Sequence, residues 1–273
     1  MDVKYFAGID IGSMTTKCAL VDASGTLVSS ALVPSGARIR VAREAALDGA
    51  VAKAGIVREQ ITYLVATGYG RKRAEADGQV TEITCHARGA IYLFPRTRTI
   101  IDIGGQDTKA IRVGANGDVS NFVMNDKCAA GTGRFLEVMA RALEVDLEDL
   151  GPLSMQSTSP QRISSFCTVF GESEVVSHLA NGSEVKDIAL GLNEAIAGRV
   201  VGMLRRVGIE SEVTMSGGVS RNIGMRSCIE KLLDCPLNVS ENSQIVGALG
   251  AALIGREQWL AREHKKLESS DAQ

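Results

Sequence analysis

The chain has 273 residues, 45% hydrophobic and 23% charged, a balance that predicts a soluble globular protein with room for two modest domains. A net charge of −2 gives no indication that nucleic acid or an anionic membrane is the main partner. The first residues lack a signal-peptide pattern, and no stretch reaches the roughly 18 apolar residues of a membrane span, so we expect a cytoplasmic protein.

The spacing of apolar residues predicts alternating strands and helices, and therefore an α/β fold. The predicted strands are 5–11, 17–21, 27–33, 61–66, 98–103, 109–113, 119–124, 212–215 and 237–239. The predicted helices are 38–54, 82–93, 135–145, 168–180, 185–207, 223–233 and 246–260. Because no linker or low-complexity segment interrupts this order, we expect two packed lobes: residues 1–96 joined by the returning helix 245–261, and residues 97–244. We expect the polar tail 262–273 to be frayed.

One short segment occurs twice, 92 positions apart. Ile9–Lys17 and Ile101–Lys109 are identical at six of nine aligned positions. Each copy has an apolar strand, an aspartate at its end, a glycine turn and a Thr-Lys pair that enters the next strand. A single copy is more often an ordinary hairpin, whereas two in register indicate a duplicated fold that clamps a polyphosphate from both sides.

The chemistry of these loops favours phosphate and magnesium. A carboxylate at the end of a buried strand is costly without a cationic partner, and Mg²⁺ with its waters would serve Asp10 and Asp102. Glycines let backbone N–H groups approach phosphate. Either Gln106 or Asp107 could orient an attacking water. The other nucleotide-binding candidates in the two loops are Gly12, Ser13, Met14, Thr15, Thr16, Lys17, Gly104 and Gly105.

A third segment, 215–222, follows a predicted strand and precedes a predicted helix. Its glycines, Gly217 and Gly218, would let an adenosine lie against the backbone, with Asn222 near the helix start. Alone, such a turn is more often only a turn. With the two loops, it makes the chain resemble the superfold of actin, sugar kinases and heat-shock chaperone ATPases. That resemblance implies two RNase H-like lobes, a cleft between them that binds ATP and Mg²⁺, and a return of the chain after Gln244 towards the first lobe.

Two of the six cysteines stand out. Cys128 and Cys167 each precede a predicted helix, whose N-terminus would stabilise a thiolate. Two thiolates are too few for an ordinary iron–sulfur cluster, but a twofold dimer supplies four. From the spacing alone, two buried structural thiols are the more common explanation, because a separation of 39 residues between cysteines is no ligand motif. We interpret the remaining cysteines and the histidines as packing or surface residues: Cys18, Cys85, Cys228, Cys235, His86, His178 and His264.

The segments around these cysteines, 125–135 and 166–176, closely resemble the activators of (R)-2-hydroxyacyl-CoA dehydratases and the ATPase subunits of benzoyl-CoA reductases, the BadF/BadG/BcrA/BcrD-type family. The resemblance implies that Cys128 and Cys167 hold one oxygen-sensitive 4Fe–4S cluster between two subunits. It also implies an ATPase that uses ATP/ADP and Mg²⁺ to drive a low-potential electron into an iron–sulfur dehydratase or reductase. Ferredoxin or flavodoxin is the implied donor.

Several alternatives stay open from the sequence. Within the same class, the chain could reduce a double-cubane-cluster protein or be a component of a benzoyl-CoA reductase, which would form a heterodimer. From other classes, a small-molecule kinase of the same superfold or an ATP-sensing chaperone-like module would share the loops. The basic loop 68–73 is either a solvated turn or a contact for an acidic partner.

Overall fold

A computed structural model describes residues 4–164 and 167–271, so that the phenylalanine at position 166, predicted as part of the second cysteine segment, lies outside the described residues. The chain forms two compact units, the first within Met1–Pro95 and Ile245–Gln273 and the second within Arg96–Gln244. Among the described residues, no helix has the length and apolarity needed to span a membrane. Each unit has its own five-stranded sheet and its own helices.

The first unit contains a five-stranded sheet in the order β3-β2-β1-β4-β5. Strands β1 to β3 form an antiparallel meander, and β4 and β5 add in parallel to β1 and to each other. The strands are β1 (Tyr5–Ile11), β2 (Thr15–Asp22), β3 (Leu27–Pro34), β4 (Ile61–Thr67) and β5 (Gly78–Gln79). The helices are α1 (Ile39–Ala54), α2 (Glu82–Leu93) and α8 (Val246–Asp271).

Alternation along β1 divides the core of the first unit between the two faces of the sheet. Ala7, Ile9 and Ile11 are buried in the cluster that contains the apolar residues of α1, whereas Phe6 is buried in the cluster that contains those of α8. Both faces of β1 are therefore covered, which explains why the sequence of this strand is a continuous apolar run.

The second unit repeats the same strand order in the sheet β10-β9-β6-β7-β8. Strands β6 to β8 are antiparallel, β9 pairs in parallel with β6, and β10 pairs in parallel with β9. The strands are β6 (Thr99–Ile103), β7 (Thr108–Val113), β8 (Val119–Asn125), β9 (Val213–Ser216) and β10 (Leu237–Asn238). The helices are α3 (Gly133–Ala142), α4 (Leu150–Ser154), α5 (Thr168–Ala180), α6 (Val185–Val207) and α7 (Ile223–Leu233). The α/β class and the internal duplication are thus confirmed.

Three helices differ from the sequence expectation. Helix α3 covers 133–142 instead of 135–145, since Glu144 adopts a left-handed conformation. The five-residue helix α4 was not expected. Helix α8 continues to Asp271, so the prediction of a frayed tail from 262 was wrong; charged residues are good helix formers, and the His264–Glu268 and Lys266–Glu263 pairs add local support.

Glycines set how closely α8 approaches its neighbours in the first unit. A Cβ on Gly250 would overlap the carbonyl oxygen of Cys85 in α2, and one on Gly8 would overlap that of Ala248 in α8. By contrast, a Cβ on Gly202 in α6 would meet nothing within 4 Å. The first two positions therefore require glycine for backbone packing, whereas Gly202 does not.

We predict that Gly250→Ala lowers the free energy of unfolding by about 1–3 kcal/mol through overpacking. Gly202→Ala is the matched control, and we expect it to raise the free energy by about 0.5–1 kcal/mol because alanine is the better helix former. Urea unfolding followed by circular dichroism measures both. A Gly250→Ala protein as stable as the wild type would show that the packing of α8 is looser than described.

Candidate functional site

The first repeated loop is built on a cross-strand ion pair. Asp10, at the end of β1, is only 6% exposed, and Lys17 stands directly opposite it on β2. Lys17 Nζ donates to Asp10 Oδ2 at 3.3 Å, and the Gly12 N–H donates to the Thr15 carbonyl at 3.1 Å to close the turn. The lysine compensates the carboxylate inside the sheet, and the turn leaves its own tip, Ser13, exposed.

One residue of this loop has a role that the sequence did not predict. The hydroxyl of Thr16 is fully buried and hydrogen-bonds Ser35 Oγ at 2.8 Å, and Ser35 Oγ in turn donates to the Gly12 carbonyl at 2.7 Å. The Ser35 N–H also donates to the carbonyl of Met14. The Thr16 hydroxyl therefore braces the loop. Ser13, Met14 and Thr15 remain accessible to a ligand.

The second loop carries the same ion pair with additional partners. Asp102 is 2% exposed and opposite Lys109, whose Nζ donates to Asp102 Oδ2 at 3.1 Å and lies 2.9 Å from Asp107 Oδ1. The Ser216 hydroxyl donates to Asp102 Oδ1 at 2.8 Å. Both oxygens of Asp102 thus accept hydrogen bonds from the protein, and Asp107 is turned back towards Lys109, while Gln106 is exposed.

A second duplication, absent from the sequence prediction, lies beside the first. Thr67 on β4 is paired in parallel register with Asp10, as Ser216 on β9 is with Asp102. A glycine follows each hydroxyl residue at φ +84° and +86°. A Cβ on Gly68 would overlap Asp10 Oδ1, and one on Gly217 would lie 3.0 Å from Asp102 Oδ1. The basic loop 68–73 therefore begins at the carboxylate of the first loop. The shared pattern of a strand followed by hydroxyl and glycine was the available signal.

His86 also reaches the first loop. It lies on α2 and is buried, and Gly247 at the start of α8 lies between it and Asp10. A Cβ on Gly247 would lie 2.9 Å from His86 Nε2 and 3.2 Å from Asp10 Oδ2. Sequence analysis placed His86 among packing residues. It is buried as predicted, and it lies beside Gly247, close to the acidic group of the candidate site.

The third predicted segment is assembled around Gly217 and Gly218. The Gly217 N–H donates to the Ser243 carbonyl at 2.9 Å, and Gln244 Oε1 accepts from Arg221 at 3.4 Å. A short 3-10 helix, Gly218–Arg221, follows. Asn222 is the N-cap of α7, with its Oδ1 accepting from the N–H of Met225. The structure thus brings the two glycines and Gln244 together, and it commits Asn222 to the helix start.

The two singled-out cysteines both lie in the second unit, and both thiols are exposed. Cys167 is the N-cap of α5, as expected. Cys128 lies in the connection between β8 and α3, five residues before α3 begins at Gly133, so the helix starts two residues nearer to it than the sequence predicted. Beyond Cys167, α5 exposes the large apolar side chains Val169, Phe170 and Val176. Among the described residues, no group of three His, Cys, Asp or Glu side chains could hold a metal ion within one chain.

The other cysteines differ in their surroundings. Burial raises the pKa of Cys18 and of Cys85 to about 12, and that of Cys228 to about 11. Burial also raises the pKa of Cys235, which is half-buried. These thiols stay protonated at neutral pH, which fits their predicted role in packing.

Comparisons with known proteins agree with this arrangement. Residues 7–255 match the BadF/BadG/BcrA/BcrD ATPase family. The chain is 44% identical over 263 residues to the 2-hydroxyisocaproyl-CoA dehydratase activator of Clostridioides difficile, covering 96% of this chain and 98% of that protein. It is 45% identical to the (R)-2-hydroxyglutaryl-CoA dehydratase activating ATPase of Acidaminococcus fermentans, covering 91% and 96%. It is 34% identical to one of the subunits of the benzoyl-CoA reductase of Thauera aromatica, covering 96% and 94%.

Solved structures show the same likeness. The activator of the 2-hydroxyisocaproyl-CoA dehydratase from Clostridium difficile with bound ADPNP superimposes with a TM-score of 0.90 at 44% identity, over 96% of this chain and 97% of that one. A glucokinase of the ROK family from Streptomyces griseus shares the fold alone, with a TM-score of 0.59 at 14% identity, over 93% of this chain and 99% of that one. The predicted actin-like and sugar-kinase superfold is confirmed.

We predict that alkylation of the folded, metal-stripped protein at about pH 8, near the ordinary thiol pKa, modifies Cys128 and Cys167 first. The buried thiols Cys18, Cys85 and Cys228 should react only after unfolding in urea, because their raised pKa values keep them protonated. Peptide mass spectrometry of timed samples measures the order. Modification of a buried thiol as fast as Cys128 would contradict the described burial.

Proposed function

The chain belongs to the BadF/BadG/BcrA/BcrD ATPase family, and we propose that this ATPase is an activator that uses ATP to transfer a low-potential electron to a partner iron–sulfur enzyme. The observation that carries the proposal is the placement of two exposed thiols, Cys128 and Cys167, in the same unit as one of the two aspartate–lysine loops. The sugar-kinase hypothesis explains the loops and leaves these thiols without a role.

We assign ATP binding and hydrolysis to the two repeated loops. Asp102 accepts hydrogen bonds at both oxygens, so its contact with Mg²⁺ would run through a water ligand, and Asp10 is the equivalent group of the first loop. The exposed turn residues supply N–H and hydroxyl donors to phosphate. Gln106 or Asp107 orients the attacking water. Gly217, Gly218 and Gln244 bind the nucleoside.

The surroundings of Cys128 and Cys167 fit the role of ligands to the implied 4Fe–4S cluster. Both thiols are exposed, and the backbone at Cys167 opens a helix whose dipole favours thiolate. When bound, such a cluster supplies one-electron transfer at low potential. Since each chain offers two ligands, we propose a homodimer with one shared cluster. The exposed apolar residues Val169, Phe170 and Val176 on α5 are suited to an interface beside it.

We propose an iron–sulfur 2-hydroxyacyl-CoA dehydratase as the electron acceptor, because two relatives that match nearly the whole chain are described as activators of 2-hydroxyisocaproyl-CoA and (R)-2-hydroxyglutaryl-CoA dehydratases. A double-cubane-cluster protein or a benzoyl-CoA reductase is the alternative acceptor, and the match to the Thauera aromatica reductase favours the second of these. Ferredoxin or flavodoxin would be the donor. Free thiols at all six cysteines suit the reducing cytoplasm in which we place the protein.

We predict that protein purified without oxygen is a brown dimer with close to four irons, and that Cys128→Ser or Cys167→Ser abolishes iron binding. Nucleotide binding should persist in both variants, since neither residue belongs to the loops. Iron, sulfide and mass in solution, with calorimetry of ADP binding, measure this. Cys235→Ser is the control and should keep its iron. Full iron content in Cys128→Ser or in Cys167→Ser would contradict the proposal of a shared cluster.

We predict that Asp102→Asn lowers the ATPase kcat by about 100-fold or more, a loss typical of removing one electrostatic contact to the reacting group. Iron content should remain unchanged. In this variant the buried ammonium of Lys109 still has the Asp107 carboxylate as its partner, at 2.9 Å, so no buried charge is left unpaired. Asp118→Asn, in the turn between β7 and β8, is the control with the same chemical change. Normal turnover in Asp102→Asn would remove this carboxylate from the ATP site.

A further inference from the structure

The start of helix α3 is held by the second loop. The N–H of Gly133 donates to the Gly104 carbonyl at 2.9 Å, and the N–H of Arg134 donates to the Gly105 carbonyl at 2.7 Å. The N-cap residue, Thr132, makes no side-chain capping bond. Two of the N–H groups that a helix start leaves without partners are therefore satisfied by the glycine loop itself, which ties the position of α3 to that of the loop.

The turn between Cys128 and α3 is held by a residue of the repeated motif. Thr108 is 1% exposed, and its hydroxyl donates to the Gly131 carbonyl at 2.5 Å. Gly131 has φ +87°, and Arg199 packs closely against it, with Cδ 3.1 Å from the place a Cβ would take. The turn is thus fixed from both sides, and Thr108 joins it to the strand that leaves the second loop.

A side chain on β8, the strand next to Thr108, hydrogen-bonds the backbone of Cys128. Asn125 on β8 stands opposite Thr108 on β7, and its Nδ2 donates to the carbonyls of Cys128 at 2.8 Å and Ala130 at 3.1 Å. Two neighbouring side chains therefore fix the same turn at three carbonyl oxygens. The equivalent threonine of the first unit, Thr16, hydrogen-bonds Ser35, which follows β3 as the cysteine turn follows β8, but the sequence has no cysteine between β3 and α1.

We propose that Thr108 is a positioning residue that transmits the state of the Gly104–Gly105 loop to the backbone of Cys128. The inference rests on the proposed binding of nucleotide to that loop. A nucleotide that shifts the loop displaces the first turn of α3 through the Gly104 and Gly105 carbonyls. The Thr108–Gly131 hydrogen bond makes the cysteine turn follow the same displacement rather than hinge independently.

The test is hydrogen exchange of the full-length protein, kept without oxygen, with and without a non-hydrolysable ATP analogue. In the wild type, nucleotide should alter exchange both in peptides covering 104–109 and in those covering 126–134. Thr108→Val removes the hydroxyl at constant shape, and it should keep the response at 104–109 and lose it at 126–132. Thr108→Ser should restore it. The readout is the difference caused by nucleotide, which a merely structural defect would not remove selectively.

Thr99→Val is the matched control, because Thr99 is also buried in this sheet and its hydroxyl donates to the Glu210 carbonyl, away from the cysteine turn. The Thr99→Val protein should keep the nucleotide-induced change in exchange both at 104–109 and at 126–134. If Thr108→Val does not fold, Asn125→Ala tests the next step, and it should lose the response at 127–130 while keeping that at 133–134.

A response at 126–132 that persists in Thr108→Val, or is absent from a wild type that responds at 104–109, would overturn the coupling while leaving nucleotide binding intact. A wild type in which calorimetry detects no nucleotide binding would overturn the proposed function and the coupling together.

Discussion

A buried aspartate–lysine pair at the end of the leading strand is the constraint on which each unit depends. A carboxylate that is less than a tenth exposed costs several kcal/mol unless an opposite charge meets it. Lys17 and Lys109 meet Asp10 and Asp102 from directly across the hairpin, so the pair also fixes strand register. A slip by one residue would turn the lysine to the other face of the sheet. The tight glycine turn between the two charges, and with it the loop that we propose binds phosphate, follows from that register.

The same carboxylates restrict what can lie beside them. Gly68 and Gly217 both adopt positive φ next to the aspartate, where a side chain has neither the conformation nor the space. The two units have since diverged. Asp102 receives the Ser216 hydroxyl, whereas Asp10 lies next to Gly247 with His86 beyond it. Duplication therefore supplied the scaffold of both loops, and the added contacts give the two aspartates different electrostatic surroundings.

The two exposed cysteines distinguish the second unit from the first. Both belong to the second unit, Cys128 in the connection between β8 and α3 and Cys167 at the start of α5. Cys167 begins a helix with exposed apolar residues, and Cys128 lies in a turn that Thr108 and Asn125 hold. The threonine of the repeated Thr-Lys pair thus hydrogen-bonds Ser35 after β3 in the first unit and the turn beside Cys128 after β8 in the second.

The sequence by itself determined the elements whose signal is local: strand 5–11, the helices at 82–93 and 185–207, the repeated loops and the pair of distinctive cysteines. It did not determine features that depend on pairing between distant residues. The parallel register of β1 with β4 brings Thr67 to Asp10 across 57 positions, and that of β6 with β9 brings Ser216 to Asp102 across 114. The start of α3 is fixed by hydrogen bonds to the carbonyls of the Gly104–Gly105 loop, which the periodicity of apolar residues does not reveal. Only the tertiary structure could decide these, because a local pattern, such as a hydroxyl residue before a glycine, does not specify which distant strand or loop it will contact.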